Sequence, residues 1–228
     1  MRGISGDPNI LTDYLYESCD FSPEYRDRLI EMIRQNTNVE MGGYRLFDGT
    51  YAHAIQIPEE LADYILCLKA HERDVGPLKR MLEVGFASGI TNTLLNKFFG
   101  FDEIVAIDNL EGPSYGVNFW ANLRFKNLTL VCGDSTTDRV ISTAKALGPF
   151  DLMFIDGDHS YEGVTRDIEN FSPMLSENGL LTLHDIVTEG TGVPQAWAEL
   201  KNSGQWTTRE FVCDSYQRPF GIGVASRS

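Results

Sequence analysis

From residue 80 onward the chain alternates short apolar runs with polar stretches of helical length, and every apolar run ends at or beside an acid. The runs are 80-RMLEVG-85, 103-EIVAID-108, 128-LTLVCG-133, 151-DLMFID-156 and 180-LLTLHD-185. Their spacing of about two dozen residues suits one strand, one helix and two short loops, the unit from which parallel sheets are built. After Asp185 the pattern changes. Residues 194–200 read as a helix, and 206-WTTREFV-212 and 219-PFGIGVA-225 then lie only a short loop apart. So short a gap permits a hairpin and no helical crossover, which predicts antiparallel strands at the end of the chain. The expectation is an α/β fold with a mostly parallel sheet.

The first 79 residues read differently, as a helical N-terminal extension with a loop, ahead of a main domain over 80–228. Asp7-Pro8 and Ser22-Pro23 each set a capping side chain before a proline, which predicts helices near 8–18 and 23–35. A third helix is expected from Pro58, with Glu59 and Glu60 complementing the dipole of its first turn. Between them, 41-MGGYRLFDGTYAHAI-55 is rich in glycine and aromatic residues without a clear period, and reads as a loop over a site.

Size and charge narrow the function. With 228 residues, 42% of them apolar, the chain can bury one sizeable core. No apolar run reaches the ~18 residues of a membrane span, and acids interrupt the N-terminus where a signal peptide needs an apolar stretch. A soluble, cytoplasmic protein with no membrane partner is the expectation. Cys19, Cys67, Cys132 and Cys213 form no CxxC pair, and are expected to be buried free thiols in a reducing compartment. A formal charge of −14 repels phosphate backbones, so a small molecule is expected as partner and nucleic acid is not. Homo-oligomerisation is left open.

In open α/β sheets, ligands bind beyond the carboxyl ends of the strands. Those ends are Glu83-Val84-Gly85, Asp108-Asn109, Gly133-Asp134-Ser135, Asp156-Gly157-Asp158-His159 and His184-Asp185. The first runs into a glycine turn, 83-EVGFASGIT-91, that enters a helix. Gly85 and Gly89 allow a tight bend and close approach to a ligand, and the helix offers free N–H groups. Asp108 lies nineteen residues past Gly89, where an acid can hydrogen-bond a ribose. An adenosine-containing cofactor follows. A dinucleotide fingerprint is not met, because Ala87 stands where a glycine would make room for a pyrophosphate. Glu83 is likewise a poor neighbour for a pyrophosphate, though a good one for an ammonium or sulfonium group.

Glu83-x-Gly85-x-x-x-Gly89, then Asp108, then Gly133-Asp134-Ser135 and a closing hairpin resemble a class I S-adenosylmethionine-dependent methyltransferase over about residues 50 to 226. The resemblance implies a Rossmann-like seven-stranded sheet, mostly parallel with an antiparallel C-terminal strand and helices on both faces. It also implies that Glu83, Gly85 and Gly89 line the methionine part of the cofactor, with Ser88 among the cofactor-binding residues. Asp108 would hold the ribose hydroxyls, Asp134 and Ser135 would lie by the adenine, and Asn109 and Asp156 would also border the cofactor.

Asp156 and Asp185 end successive strands, expected to be neighbours about 5 Å apart. Carboxylates so close repel unless a proton or cation lies between them, and a divalent ion is the simplest solution. "FIDGDHSYEG" followed by "LLTLHD" is similar to the metal-dependent small-molecule O-methyltransferases, including sugar O-methyltransferases of macrolide type, and to the related cephalosporin hydroxylase group. By that similarity Asp156, His184 and Asp185 would bind the metal and His159 would be the catalytic base. His184 replaces the acid or amide usual in magnesium-binding relatives, which leaves magnesium, manganese, iron or zinc open. Residues 184 and 185 point in opposite directions along a strand, so both reach one ion only if the chain turns there.

Methyl transfer to a hydroxyl oxygen of a small molecule, assisted by the ion, is therefore the expected reaction. A nicotinamide-dependent oxidoreductase is the rival, motivated by the same glycine turn and Asp108. A relative that keeps the cofactor fold without transferring methyl is a third possibility. Asp158 is expected in a turn, Ser160 as a helix cap and Tyr161 and Glu162 in the helix start. His71 is expected to be exposed and idle, His53 to sit in the loop, and Phe119 and Trp120 to pack a helix face.

Overall fold

The computed structural model describes residues 19–38, 43–45, 51–53, 56–87, 89–111, 126–215 and 219–228. The expected helix at 8–18 lies outside them, as do Ser88, Phe119 and Trp120. The chain runs α1 (Pro23–Asn36), β1 (Thr37–Asn38), β2 (Gly43–Arg45), β3 (Tyr51–His53), α2 (Pro58–Val75), β4 (Arg80–Val84), α3 (Ile90–Phe99), β5 (Glu103–Asp108) and β6 (Leu128–Cys132). It continues through α4 (Asp138–Leu147), β7 (Phe150–Ile155), α5 (Tyr161–Phe171), β8 (Leu175–His184), α6 (Val193–Asn202), β9 (Trp206–Phe211) and β10 (Ile222–Arg227).

Seven strands form one sheet in the order β6-β5-β4-β7-β8-β10-β9. The pairs among β4 to β8 are parallel, while β10 lies antiparallel to β8 on one side and to β9 on the other. This is the expected Rossmann-like sheet with a reversed strand at the C-terminus. The central strands are buried on both faces, which explains why they read as continuous apolar runs rather than alternating ones.

The ladder continues one residue past several strands. Gly85 N–H donates to Ile107 O at 2.9 Å, Asp156 N–H to Val84 O at 2.8 Å and Gly133 N–H to Asp108 O at 2.8 Å. Four strand ends are thus locked in a row along one rim, and the strand order reverses between β4 and β7 at its middle. That is where open sheets bind ligands.

Tyr25, Leu29, Leu61, Ile65 and Leu68 pack in one cluster with Met81, Ile104, Leu152 and Phe154, so α1 and α2 cover one face of the sheet. Val140, Val164, Phe171 and Trp197 cover the other. Pro58 opens α2 as the sequence predicts, and Gly76 caps its end. The segment 41–55 is not a plain loop: residues 43–45 and 51–53 pair as β2 and β3, and the rest lie outside the described residues. His53 belongs to β3. His71 is half-buried rather than idle, with Nε2 2.8 Å from the carbonyl oxygen of Asn178. The four thiols are free, but none is buried; Cys132 is exposed and the others are partly so.

Candidate active site

Beyond the strand ends lies a cleft of about 720 Å³, walled by Gly85, Ala87, Asp108, Asn109, Asp134, Ser135, Asp156, Gly157 and His159, together with Thr136, Asp158, Glu162 and Arg166. Its volume lies within the range of small-molecule and cofactor pockets. Acids outnumber bases on its wall, which favours a cationic ligand over a polyphosphate.

The glycine turn shapes the upper wall. Gly85 has φ 90°, and a Cβ there would meet the carbonyl oxygen of Asp156 at 2.0 Å, so the bare backbone is what lets β4 and β7 end side by side. Gly89 has φ 72°, and its missing side chain is replaced by the ring of Phe86. Ala87 takes φ 46°, the left-handed conformation that a glycine would adopt most easily. Its N–H donates to Asp108 Oδ2 at 2.9 Å, while Leu110 N–H donates to Asp108 Oδ1 at 2.7 Å. Asp108 therefore ties the glycine turn to the end of β5.

Other expected cofactor residues have protein partners too. Asp134 Oδ1 accepts from the backbone N–H and hydroxyl of Thr136 at 2.8 and 2.7 Å, which holds its carboxyl below the usual range. Asn109 Oδ1 accepts from Glu111 N–H at 3.0 Å. Glu83 does not wall the cleft: it is 2% exposed, accepts from Asn92 Nδ2 at 3.0 Å, and burial pushes its carboxyl well above the usual range. Gly89 also lies off the wall, and Ser88 is not among the described residues.

At the end of β7 and β8, four side chains meet. His159 Nε2 lies 3.2 Å from Asp156 Oδ1 and 3.0 Å from Asp185 Oδ2; His184 Nδ1 lies 3.3 and 3.4 Å from the same two oxygens. Two imidazoles alternate with two carboxylates. Asp156, His184 and Asp185 each offer a ligand atom within 4.8 Å of the others, so the three expected metal residues do converge.

Local structure explains the convergence. Asp185 has φ 63°, and this left-handed residue turns the chain where β8 ends, so that residues 184 and 185 face the same point. Thr188 completes the turn, with N–H to Asp185 O at 3.0 Å and hydroxyl to Asp185 Oδ1 at 2.6 Å. His184 is 4% exposed and its ring is flanked by Phe154 and Phe220 at centroid distances of 6.4 and 5.9 Å. His159 is more exposed, and Gly192 N–H holds its carbonyl oxygen at 2.8 Å.

Electrostatics follow from the pairing. Hydrogen bonds to Asp156 and then Asp185 raise His159 to about 10. Burial alone would lower His184, but the charge of Asp156 and the bonds to both acids lift it to about 10 as well. Both carboxyls are lowered against the opposing effect of their burial, Asp156 by the charge of His184 and Asp185 by its bond to His159. The donor set, one nitrogen and two carboxylate oxygens with Thr188 bracing Asp185, fits a divalent ion. One atom fits less well: His184 Nε2 is buried with no hydrogen-bond partner among the described residues.

The neighbouring residues play structural roles, as their types predict. Asp158 accepts from the N–H and hydroxyl of Ser160, and Ser160 caps α5 by accepting from Gly163 N–H at 3.0 Å. Tyr161 donates to Glu199 at 2.7 Å.

Two contributors escaped the sequence. Glu60, 1% exposed, accepts from the backbone N–H of Cys213 and of Gly221 at 2.9 and 3.0 Å. It clamps the β9–β10 connection that carries Phe220 onto His184. Its position in the first turn of α2 is equally that of a dipole-complementing acid, and no local signal distinguishes the two. Thr188 is the other, a threonine three residues past Asp185 whose bond depends on a turn that the sequence leaves undetermined.

Residues 82–186 match a family model described as a methyltransferase domain. A caffeoyl-CoA O-methyltransferase candidate from Staphylococcus aureus superposes with a TM-score of 0.59 at 15% identity, over 90% of this chain and all of that one. TomG, an O-methyltransferase from Streptomyces achromogenes involved in tomaymycin synthesis and solved with S-adenosylmethionine, gives 0.58 at 16% identity over 77% and 82% of the two chains. MycE, a methyltransferase of the mycinamycin biosynthetic pathway solved with magnesium and S-adenosylhomocysteine, gives 0.50 at 16% identity, over 75% of this chain and 54% of that one. At such identities the likeness is one of fold. In sequence, 52 residues are 44% identical to an uncharacterized protein of Sinorhizobium fredii, of which they span 6%.

The nicotinamide alternative is not favoured: the matching domain is a methyltransferase domain, and the acidic residues on the cleft wall disfavour a pyrophosphate. No helix among the described residues is long and apolar enough to cross a membrane. Residues 82–186 thus form a methyltransferase domain, and the sheet that carries them has the Rossmann-like fold of the S-adenosylmethionine-dependent methyltransferases it resembles.

Proposed function

We propose that the protein methylates a hydroxyl oxygen of a small molecule, using a divalent ion held by Asp156, His184 and Asp185 and His159 as proton acceptor. The observation that carries this reading is that Asp156 and His159 wall the same cleft as Asp108, Asn109 and Ser135. Proton-handling groups and the residues proposed to hold the nucleoside thus share one space.

Bound S-adenosylmethionine supplies an electrophilic methyl group, and a bound divalent ion supplies positive charge that lowers the pKa of the acceptor hydroxyl and offsets the two carboxylates. His159 is the group that must take the proton. With both carboxylates unopposed it is held protonated at neutral pH and cannot act as a base. Proton acceptance by His159 and ion binding are therefore linked in this reading. Asp108, with Asn109, Asp134 and Ser135, would orient the nucleoside, and alignment of acceptor and methyl supplies much of the remaining acceleration. Gly85 is read as admitting the methionine part, and Glu83 as acting from behind the turn through Asn92.

The likeness to O-methyltransferases of small molecules, and the magnesium in MycE, support this choice of acceptor and ion. We assign the protein to the cytoplasm on the strength of its unpaired cysteines, and expect no nucleic-acid partner at a charge of −14. The test is release of S-adenosylhomocysteine with a panel of sugars and phenols, with and without EDTA. Turnover lost in EDTA and restored by a divalent ion is expected. Full turnover in excess EDTA would remove the ion from the mechanism, and transfer confined to amine acceptors would remove the hydroxyl.

A further inference from the structure

His184 stands at a position where an oxygen donor would make the site entirely oxygen-based, and it has no freedom to leave. It is 4% exposed, the rings of Phe154 and Phe220 flank it, and its backbone is fixed in the sheet opposite Ile222. Its Nδ1 lies 3.3 and 3.4 Å from Asp156 Oδ1 and Asp185 Oδ2. Ligand atoms at about 2.0–2.2 Å from one first-row ion lie roughly 3–4 Å from each other, so the separations from Nδ1 are of the size such an ion requires.

We propose that this site selects a first-row transition ion, of the manganese, iron, cobalt or zinc class, over magnesium, and that His184 sets the choice. The inference rests on the reading that an ion sits among Asp156, His184 and Asp185, and it deepens that reading by naming the ion class. Magnesium is a hard cation that prefers oxygen ligands in near-ideal octahedral geometry and keeps several waters. A locked imidazole supplies nitrogen, which borderline first-row ions accept and magnesium does not favour. The apolar rings beside it add no oxygen to compensate.

The same residue limits how tightly the ion is held. When Nδ1 ligates, the ring proton sits on Nε2, which is buried with no acceptor among the described residues. Metal-binding histidines usually donate that proton to a carboxylate or carbonyl, and loss of such a partner costs about 10–100-fold in affinity. The ion is accordingly held less tightly than at a site whose histidine has such a partner.

The test uses the metal-free full-length protein and Co²⁺ as probe, read by its visible ligand-field absorption, with S-adenosylhomocysteine binding followed in parallel as a measure of folding. In the parent protein Co²⁺ gives a saturable spectrum, Zn²⁺ displaces it, and a ~1000-fold excess of Mg²⁺ leaves it in place. In His184→Asp the preference for Co²⁺ over Mg²⁺ falls by more than about 100-fold, beyond the loss caused by an outer-shell change. His184→Gln serves as a second variant should the first fold poorly. Displacement of Co²⁺ by equimolar Mg²⁺ in the parent, or an unchanged Co²⁺ spectrum in His184→Gln, overturns the proposal while leaving an ion site standing. No binding of either ion by a parent protein that still binds S-adenosylhomocysteine overturns the ion site itself, and this proposal with it.

Discussion

Asp185 holds its backbone at φ 63°, and its Oδ2 lies 3.4 Å from Nδ1 of His184, the residue immediately before it. Consecutive strand residues would face opposite sides of the sheet. One left-handed residue at the strand end is what brings both side chains to Asp156.

The backbone and carboxylate roles of Asp185 can be separated. A β-branched residue at this φ is strained by about 1–3 kcal/mol, whereas glycine adopts it freely. Asp185→Val should therefore melt below Asp185→Gly, by roughly 2–10 °C for a domain of this size. Both variants lack the carboxylate and should lose ion binding alike. Equal melting temperatures in a metal-free buffer would mean that the turn imposes no strain.

Gly85→Ala tests whether the glycine turn serves packing as well as cofactor approach. The added Cβ would fall 2.0 Å from Asp156 O and 2.5 Å from Asp156 C, on a backbone at φ 90°. Left-handed strain and overpacking each cost about 1–3 kcal/mol, and the atoms to be moved belong to the strand end that carries Asp156. Cofactor and ion binding should weaken together, with a clear fall in thermal midpoint. A variant that melts like the parent and loses only the cofactor would confine the glycine to ligand contact.

Asp108→Ala removes the acceptor of two backbone N–H groups as well as the proposed ribose contact. Two lost hydrogen bonds cost about 1–3 kcal/mol between them, and S-adenosylhomocysteine affinity should fall by at least about tenfold. Asp108→Asn, which keeps one acceptor oxygen, should lose less of both. Calorimetric titration of all three proteins checks the order. Affinity equal to the parent in the alanine variant would rule out the ribose role.

The sheet was legible because its strands are buried on both faces and so appear as uninterrupted runs such as 103-EIVAID-108. The rim was legible because each apolar run ends at or beside an acid. The convergence of His184 and Asp185 was not, because it depends on a φ value that aspartate permits but does not announce. Glu83 misled in the opposite sense. Two residues before Gly85 it reads as a ligand for positive charge, yet it is buried and its carboxylate is taken up by Asn92. Glu60 and Thr188 act through partners that only tertiary structure or turn geometry supplies.

Asp167 on α5 provides a pH-dependent test. It is 1% exposed, and the nearby Ser135 hydroxyl, which opposes the effect of burial, does not reach full hydrogen-bond geometry with either carboxyl oxygen. Burial, with the nearby charges of Asp158 and Asp134 adding to it, raises its carboxyl from 3.8 to about 6. The folded protein therefore binds this proton more tightly than the unfolded chain. Between about pH 4 and pH 6 the folded state carries the extra proton, so the contribution of Asp167 to stability falls as pH rises through that window. Below the window both states are protonated and nothing is lost; above it the full cost of the buried charge, about 3 kcal/mol, is present. Other carboxylates have their own slopes, so the parent must be compared with Asp167→Asn at each pH. The variant's unpaired amide has a cost of its own, but that cost does not vary with pH. Denaturant titrations at pH 4, 5, 6 and 7 should show the variant gaining about 3 kcal/mol on the parent across the series. A flat difference would mean that Asp167 is ionised at an ordinary pKa through a partner that its buried oxygens do not display.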